Sequence, residues 1–570
     1  MSVDRAIIYH QEVATNMIDL AKSCEVKVEV KRASKPILIS ILFFALIAAS
    51  ATVGAFNLPL VPSEGMASIS ARDLRMHLSF LASHELGGRY TFSTGNRIAA
   101  RYLASQLESF GYRGGARDGG YLQRIDFALN ILDRKTSRLE VSDTKATKEF
   151  LFGEDFFVPY PTALNLKAEA VFVGYGISAP KKGYDNYAGL DVKDKIVLIA
   201  LGRPTSLQTT ALDEVEQGLA AAAAHGAQAA LYLPAQINGV PWGPYDLVEE
   251  DEDRLKMIGE QTSKRDENDE QMPALPYVYI SPTVAERLLS SIDLQLETFV
   301  KASVAGEPLK PSPLPVQLKL QVVIQEIRQQ AQNVVGIYEG SDAKLKNEYI
   351  LLSAHYDHLK SKGEIVYHGA DDDGSGTSAV LAIARAFTQG PRPKRSVLIV
   401  FHTGEELGLY GSRYFTNVEP LVPLESIVAN LNVDMIGRSR VAGRNSPQDS
   451  GLTDKDSIYL IGSDKHSSEL HQISEQTNQE LTNLRLDYAY NSEDHPLKLY
   501  YRSDHYNYGR KGIPVIFYFT GIHADYHKPT DTVDKIDFEK MVRITRLIYA
   551  TAWRVANLDH RLVTDRVQKK

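Results

Sequence analysis

Four apolar runs in the C-terminal half of the chain, YILLSAH, SVLIVFH, SIVANLNV and PVIFYF, constrain its fold more than any other feature. They alternate with helical patterns. Between Gly374 and Phe387 the positions Ala379, Val380, Ile383, Ala384 and Phe387 share one helical face. After Lys535 the residues Met541, Ile544, Ile548 and Trp553 do the same. Strands alternating with helices predict an α/β fold with a mainly parallel mixed sheet covered by helices on both sides. In such open sheets ligands bind beyond the carboxyl ends of the strands. At or just past those ends stand His355, Asp372, Glu405, Glu406, Asp434 and His527, so these side chains are expected to converge.

The remaining chain is too long for one domain. At 570 residues with 44% hydrophobic content, two globular units are expected. A net charge of -8 leaves no broad basic surface, which argues against a nucleic-acid partner. The only cysteine is Cys24, so the globular part has no disulfide, thiolate zinc site or cysteine nucleophile. Cys24 precedes an uncharged stretch from Pro36 to Phe56, flanked by Lys31, Arg32 and Lys35. About 20 apolar residues suffice to cross a bilayer as a helix. The basic flank predicts a cytoplasmic segment 1–35, a transmembrane anchor or signal peptide at 36–56, and an exported remainder.

Two amphipathic helices are expected between Ile69 and Phe110, the second closed by Gly111. From Ala168 to about Pro311 the pattern changes to short strands, VFVGYG, KIVLIAL and ALYLP, with an alanine-rich helix over Ala220 to Ala230. This reads as a smaller inserted α/β or β-rich module spanning 166–311. The acidic run from Glu249 to Asp253 reads as a solvated loop. Pro311, Pro313 and Pro315 mark a linker or a return crossing. The larger domain then comprises 66–165 and 312–558, followed by a polar tail at 559–570.

Two histidines and three carboxylates suit two zinc ions that share one carboxylate, an arrangement with the metals roughly 3.5–4 Å apart. His355 and Asp357 alternate on one strand, which predicts that Asp357 accepts a hydrogen bond from the ligand imidazole. Of the adjacent Glu405 and Glu406, one can face the metals while the other stays free to take a proton from bound water. His358, His368, His402, His505 and His523 lie near these motifs without an assigned part.

The segments HYDH, GADDDGSG, HTGEELGLYGS, NVDMIGR, SDHYNYGRKGIPV and YHKPTDT resemble the motif set of the co-catalytic zinc exopeptidase family that includes bacterial leucyl aminopeptidases and glutamate carboxypeptidases. The resemblance runs from about Ile69 to Asn557. It implies that His355 and Asp434 bind one zinc, Glu406 and His527 the other, and that Asp372 bridges both, with Asp371 and Asp373 as alternatives. Glu405 would be the general base, and Tyr526 would help hold the tetrahedral intermediate. The inserted module resembles the protease-associated domain of many such peptidases, which caps or shapes the cleft. His368 departs from the family pattern as a possible extra donor. The implied function is an exported zinc aminopeptidase acting on peptides through metal-bound hydroxide. Glutamate-carboxypeptidase-like activity, glutaminyl cyclisation and a non-catalytic receptor are the alternatives.

Overall fold

The computed structural model describes residues 57–159, 163–205, 207, 214–233, 255–260, 274–440, 447–492 and 494–566. The stretch from Pro36 to Phe56 and the acidic run from Glu249 to Asp253 lie outside these residues. Among the described residues no helix is long and apolar enough to cross a membrane.

The apolar runs form the centre of a ten-stranded mixed sheet. Its principal strands are β1 (Leu122–Leu132), β2 (Ile324–Tyr338), β3 (Tyr349–His355), β4 (Ser396–His402), β5 (Ile427–Val433), β6 (Ser457–Ile461) and β7 (Val515–Phe519), in the spatial order β1-β2-β4-β3-β5-β7-β6. The four central strands β4, β3, β5 and β7 are parallel; β2 joins β4, and β6 joins β7, in the antiparallel sense. Register aligns the ends of the parallel strands, with His355 opposite His402 and Val433 opposite Tyr518. Everything that follows these four strands therefore emerges on one side.

Side-chain alternation divides the strands between two cores. Ile350, Leu352 and Ala354 pack with the helices Ala71–Leu81, Thr94–Ser109, Gly376–Ala386 and Phe538–Asn557. Leu351, Leu398 and Val400 face the opposite way, toward Phe415 and Tyr508 of the helices Tyr410–Asn417 and His505–Gly509. Both faces are thus covered. The early helices begin at Ser70 and Ser93, whose hydroxyls accept from Asp73 N and Asn96 N, and Gly111 closes the second at φ +84.

A second, eight-stranded sheet lies between β1 and β2 in sequence, and it is larger than the 166–311 module expected above. Arg138–Ser142, Thr147–Leu151 and Phe156–Phe157 belong to it, as does Ser312–Val322. The crossings between the two sheets fall at 133–137 and at Val323, where Asp133 N donates to Val323 O at 2.8 Å. The proline-rich stretch is strand rather than linker. Pro315 lies within a register shift between Leu314 and Gln317, a place where a missing N–H costs the ladder little. The alanine-rich helix is Glu214–Ala224, earlier than expected. Gly226 at φ +83 stops it, and Ala229–Leu233 is already a strand. One piece of the insertion, Leu255–Met257, pairs antiparallel with β1 and so extends the large sheet. Tyr410 OH donates to Leu255 O at 2.9 Å beside this pairing.

Candidate metal centre

Each acid or imidazole reaches the site from its own loop. His355 ends β3, the Glu405–Glu406 pair follows β4, Asp434 follows β5, and His527 lies in the loop after β7 with φ +56. Asp372 sits in the tight turn Ala370–Ser375 that leads into Gly376–Ala386, and its peptide bond to Asp373 is cis. Close packing here requires glycine: a Cβ on Gly376 would lie 2.3 Å from Val433 O and 2.4 Å from Asp373 Oδ1.

Asp372 occupies the middle. Its Oδ1 is 3.3 Å from His355 Nε2, and its Oδ2 is 3.2 Å from His527 Nε2. Asp434 Oδ1 completes the first pole at 3.6 Å from His355 Nε2; Glu406 Oε2 completes the second at 3.1 Å from His527 Nε2. These spacings carry a diagnosis. Zinc takes nitrogen and oxygen ligands at about 2.0–2.2 Å in tetrahedral geometry, so two ligands of one ion stand roughly 3.3 Å apart. All four distances, 3.1 to 3.6 Å, match the spacing that ligands of a common ion would take. Asp372 Oδ2 and His527 Nε2 are buried with no hydrogen-bond partner among the described residues. Buried polar atoms are ordinarily paired, and a shared cation supplies what these lack. The donor set therefore fits two zinc ions.

The neighbouring aspartates serve another purpose. Asp373 Oδ1 accepts from Gly376 N at 2.8 Å and Met435 N at 3.1 Å, while Oδ2 accepts from His355 N at 3.2 Å. Its closeness to His355 and Asp434 makes a second donor trio possible, yet both oxygens are already committed to backbone donors. Asp371 Oδ1 accepts from Gly437 N at 2.6 Å and Ser375 Oγ at 2.9 Å, and Oδ2 lies 3.3 Å from His523 Nε2. Asp372 alone of the three turns both oxygens to imidazoles.

Burial acts to raise the Asp372 carboxyl, but the His355 and His527 contacts overcome it and hold the group well below the ordinary range. Glu405 moves the other way: burial, with Asp434, Glu406 and Asp504 close by, pushes it well above the usual carboxylate value despite His355. Its Oε2 is 3.8 Å from His355 Nε2, longer than any ligand pair above. Asp357 anchors its backbone, accepting from Glu405 N at 3.2 Å and from Thr91 Oγ1 at 2.9 Å. The expected imidazole contact differs from the sequence reading. The Asp357 carboxylate stays 3.7 Å from His355 Nδ1, and the Asp357 carbonyl lies nearer at 3.3 Å, because β3 ends at His355 and the strand alternation stops there. Tyr526 stacks on His527 with ring centres 3.8 Å apart. It lines a cleft together with Glu405, Leu499, Arg502, Phe517 and Ile522.

Of the other histidines only His358 enters the site, with Nδ1 2.6 Å from Glu406 Oε1. His368 turns away to the Ala82 carbonyl at 3.1 Å and supplies no extra donor. His402 bonds to Tyr508 OH at 3.1 Å, and His505 stacks on Phe517. Three supports lie outside the candidate ligand set. Arg89, 1% exposed, donates to the carbonyls of Leu81, Tyr356, His368 and Gly369 at 2.5 to 2.9 Å. Asp531 Oδ2 accepts from Asp371 N and Asp372 N. A buried chain from Asn430 through Ser353, Asn432 and Ser503 ends on Asp434 Oδ2 at 2.7 Å.

Residues 333–552 match peptidase family M28. Every candidate ligand lies inside that span. Among curated relatives, aminopeptidase YwaD of Bacillus subtilis is 25% identical over 248 residues, 42% of this chain and 48% of its own length. A probable leucine aminopeptidase of Arthroderma otae is 25% identical over 255 residues, 40% of this chain and 64% of its own. A vacuolar membrane protease of Candida dubliniensis is 38% identical over 96 residues, 15% of this chain and 10% of its own. The chain thus spans less than two thirds of each. Among solved structures, the aminopeptidase from Aneurinibacillus sp. strain AM-1 aligns with TM-score 0.48 at 19% identity, covering 89% of this chain and 98% of that one.

Proposed function

We propose that this chain is an exported zinc-dependent aminopeptidase that removes N-terminal residues from peptides, with Glu405 as general base. The observation that carries the zinc reading is the pair of donor sets meeting on Asp372 at ligand spacing. His355, Asp434 and Asp372 Oδ1 would hold one ion; His527, Glu406 and Asp372 Oδ2 would hold the other. Bound zinc polarises a scissile carbonyl and acidifies a water. The chain's own residues supply the rest. Glu405 borders the cleft beside the first pole, anchored through its backbone by Asp357. It takes the proton from the attacking water and returns it to the leaving amine, while the Tyr526 hydroxyl steadies the developing oxyanion. The aminopeptidase choice is supported by the M28 match and by relatives that bear that name. The insertion, read as a protease-associated domain, would shape access to the cleft. Export rests on the sequence from Pro36 to Phe56 and is tested by cell fractionation.

Glu405→Ala should lower kcat on aminoacyl substrates by about 10²–10⁴-fold, the usual scale for a positioned acid or base, with zinc content unchanged. Chelation should abolish activity in the unsubstituted protein, and zinc should restore it. A Glu405→Ala protein that retains its full rate would remove this assignment, and cleavage only of N-blocked substrates would replace the aminopeptidase reading with a carboxypeptidase.

A further inference from the structure

At each pole the outer carboxylate divides its two oxygens between the ion's position and the protein. Asp434 turns Oδ1 toward His355, and its Oδ2 accepts from Ser503 Oγ at 2.7 Å. Glu406 turns Oε2 toward His527, and its Oε1 meets His358 Nδ1 at 2.6 Å. The last distance is far below the roughly 3.3 Å that separates two ligands of one zinc, so it is a direct hydrogen bond and His358 is not a fellow ligand of Glu406. An ionised carboxylate can only accept, which places the proton on Nδ1.

The ring is held for this contact. His358 is fully buried, and a Cβ on Gly369 would come within 2.6 Å of its Cγ and Cδ2, so that glycine leaves the space the imidazole fills. Gly369 is itself fixed by Arg89, which donates to its carbonyl at 2.9 Å. The other ring nitrogen, Nε2, is buried without a hydrogen-bond partner among the described residues. The Glu406 contact is then what orients the ring.

We propose that His358 is a positioning residue: it donates Nδ1–H to Glu406 Oε1, keeps that carboxylate one-toothed toward the metal, and sets the zinc affinity of the His527 pole independently of the His355 pole. The two poles thereby differ in kind, an imidazole behind one acid and a serine hydroxyl behind the other. This rests on the zinc reading above.

The test is equilibrium zinc binding to the full chain, measured by competition with a chromophoric chelator. In His358→Ala, one of two zinc sites should weaken about 10–100-fold, the usual effect of removing an outer hydrogen-bond partner, while the other is unmoved. Asparagine places an amide near the Nδ1 position, so His358→Asn should recover most of the loss. Ser503→Ala should weaken the opposite site. In a Glu406→Gln background, adding His358→Ala should cost nothing further. Two unaltered sites in His358→Ala, an equal weakening of both, or an asparagine variant no better than alanine each overturns the proposal while leaving the zinc reading standing. An unsubstituted chain that takes up no zinc overturns both.

Discussion

Asp372→Ala protein should lose both metals together. Because Asp372 Oδ1 faces the His355 pole and Oδ2 the His527 pole, at 3.3 and 3.2 Å, one substitution removes a proposed ligand from each. It also leaves Asp434 beside His355 and Glu406 beside His527 with no shared anion between the two poles. Outer-shell losses in metal sites cost about 10–100-fold in affinity or activity, so removal of a bridging ligand should exceed about 10²-fold in kcat/KM. Metal content after dialysis, read by atomic emission, should fall from two zinc per chain to below one. Asp372→Asn separates charge from packing. It keeps the volume but puts an NH₂ where one oxygen stood, so it should empty at least one pole while melting like the metal-free parent. An Asp372→Ala protein that still holds two tightly bound zinc ions would remove the bridging assignment.

The second large effect belongs to a residue that touches no ligand. Arg89→Met keeps a long buried side chain and deletes every donor, leaving the carbonyls of Leu81, Tyr356, His368 and Gly369 without the guanidinium. A buried acceptor stripped of its donor costs about 1–3 kcal/mol, so a loss of at least about 3 kcal/mol in unfolding free energy is expected. Urea melts of metal-free protein would show it. The same four carbonyls tie the first helices to the turn ahead of Asp372, so zinc affinity should fall as well. Arg89→Lys should recover only part of the stability, since one ammonium cannot reproduce a planar fork. Unchanged melts for Arg89→Met would show that the carbonyls find other donors.

The contrast between these two residues explains what the sequence made legible. Asp372 stands in a motif whose neighbours along the chain belong to the same loop, and the apolar runs before His355, Glu405 and Asp434 announce strands whose ends must align. Local pattern is enough for that. Arg89 meets its partners across gaps of up to 280 residues, and in the stretch GGRY it reads as an ordinary turn. Ser503 and Asp531 stand inside the quoted segments SDHYNYGRKGIPV and YHKPTDT, but their contacts with Asp434 and with the Asp371 and Asp372 backbone span 69, 160 and 159 residues, which local pattern does not reveal. Three consecutive aspartates could not be ranked by composition, because what separates them is which backbone N–H groups reach Asp371 and Asp373. The strands at 138–157 follow directly on β1 and the strand at 312–322 runs directly into β2, so no shift in composition marks where one sheet gives way to the other.

The short pairing of Leu255–Met257 with β1 bears on where this protein can be cut. Residues 333–552 carry every candidate ligand, yet they begin inside β2, whose long antiparallel partner β1 lies far earlier in the chain. Expressed alone, that span would display the raw flank of a sheet, a template for pairing with its own copies. Removing only the insertion would uncover Phe127 and Leu129 on β1 in the same way. A self-sufficient version of the protein therefore keeps β1, β2 and Leu255–Met257 together, and this part of the insertion is a fitted piece of the large sheet.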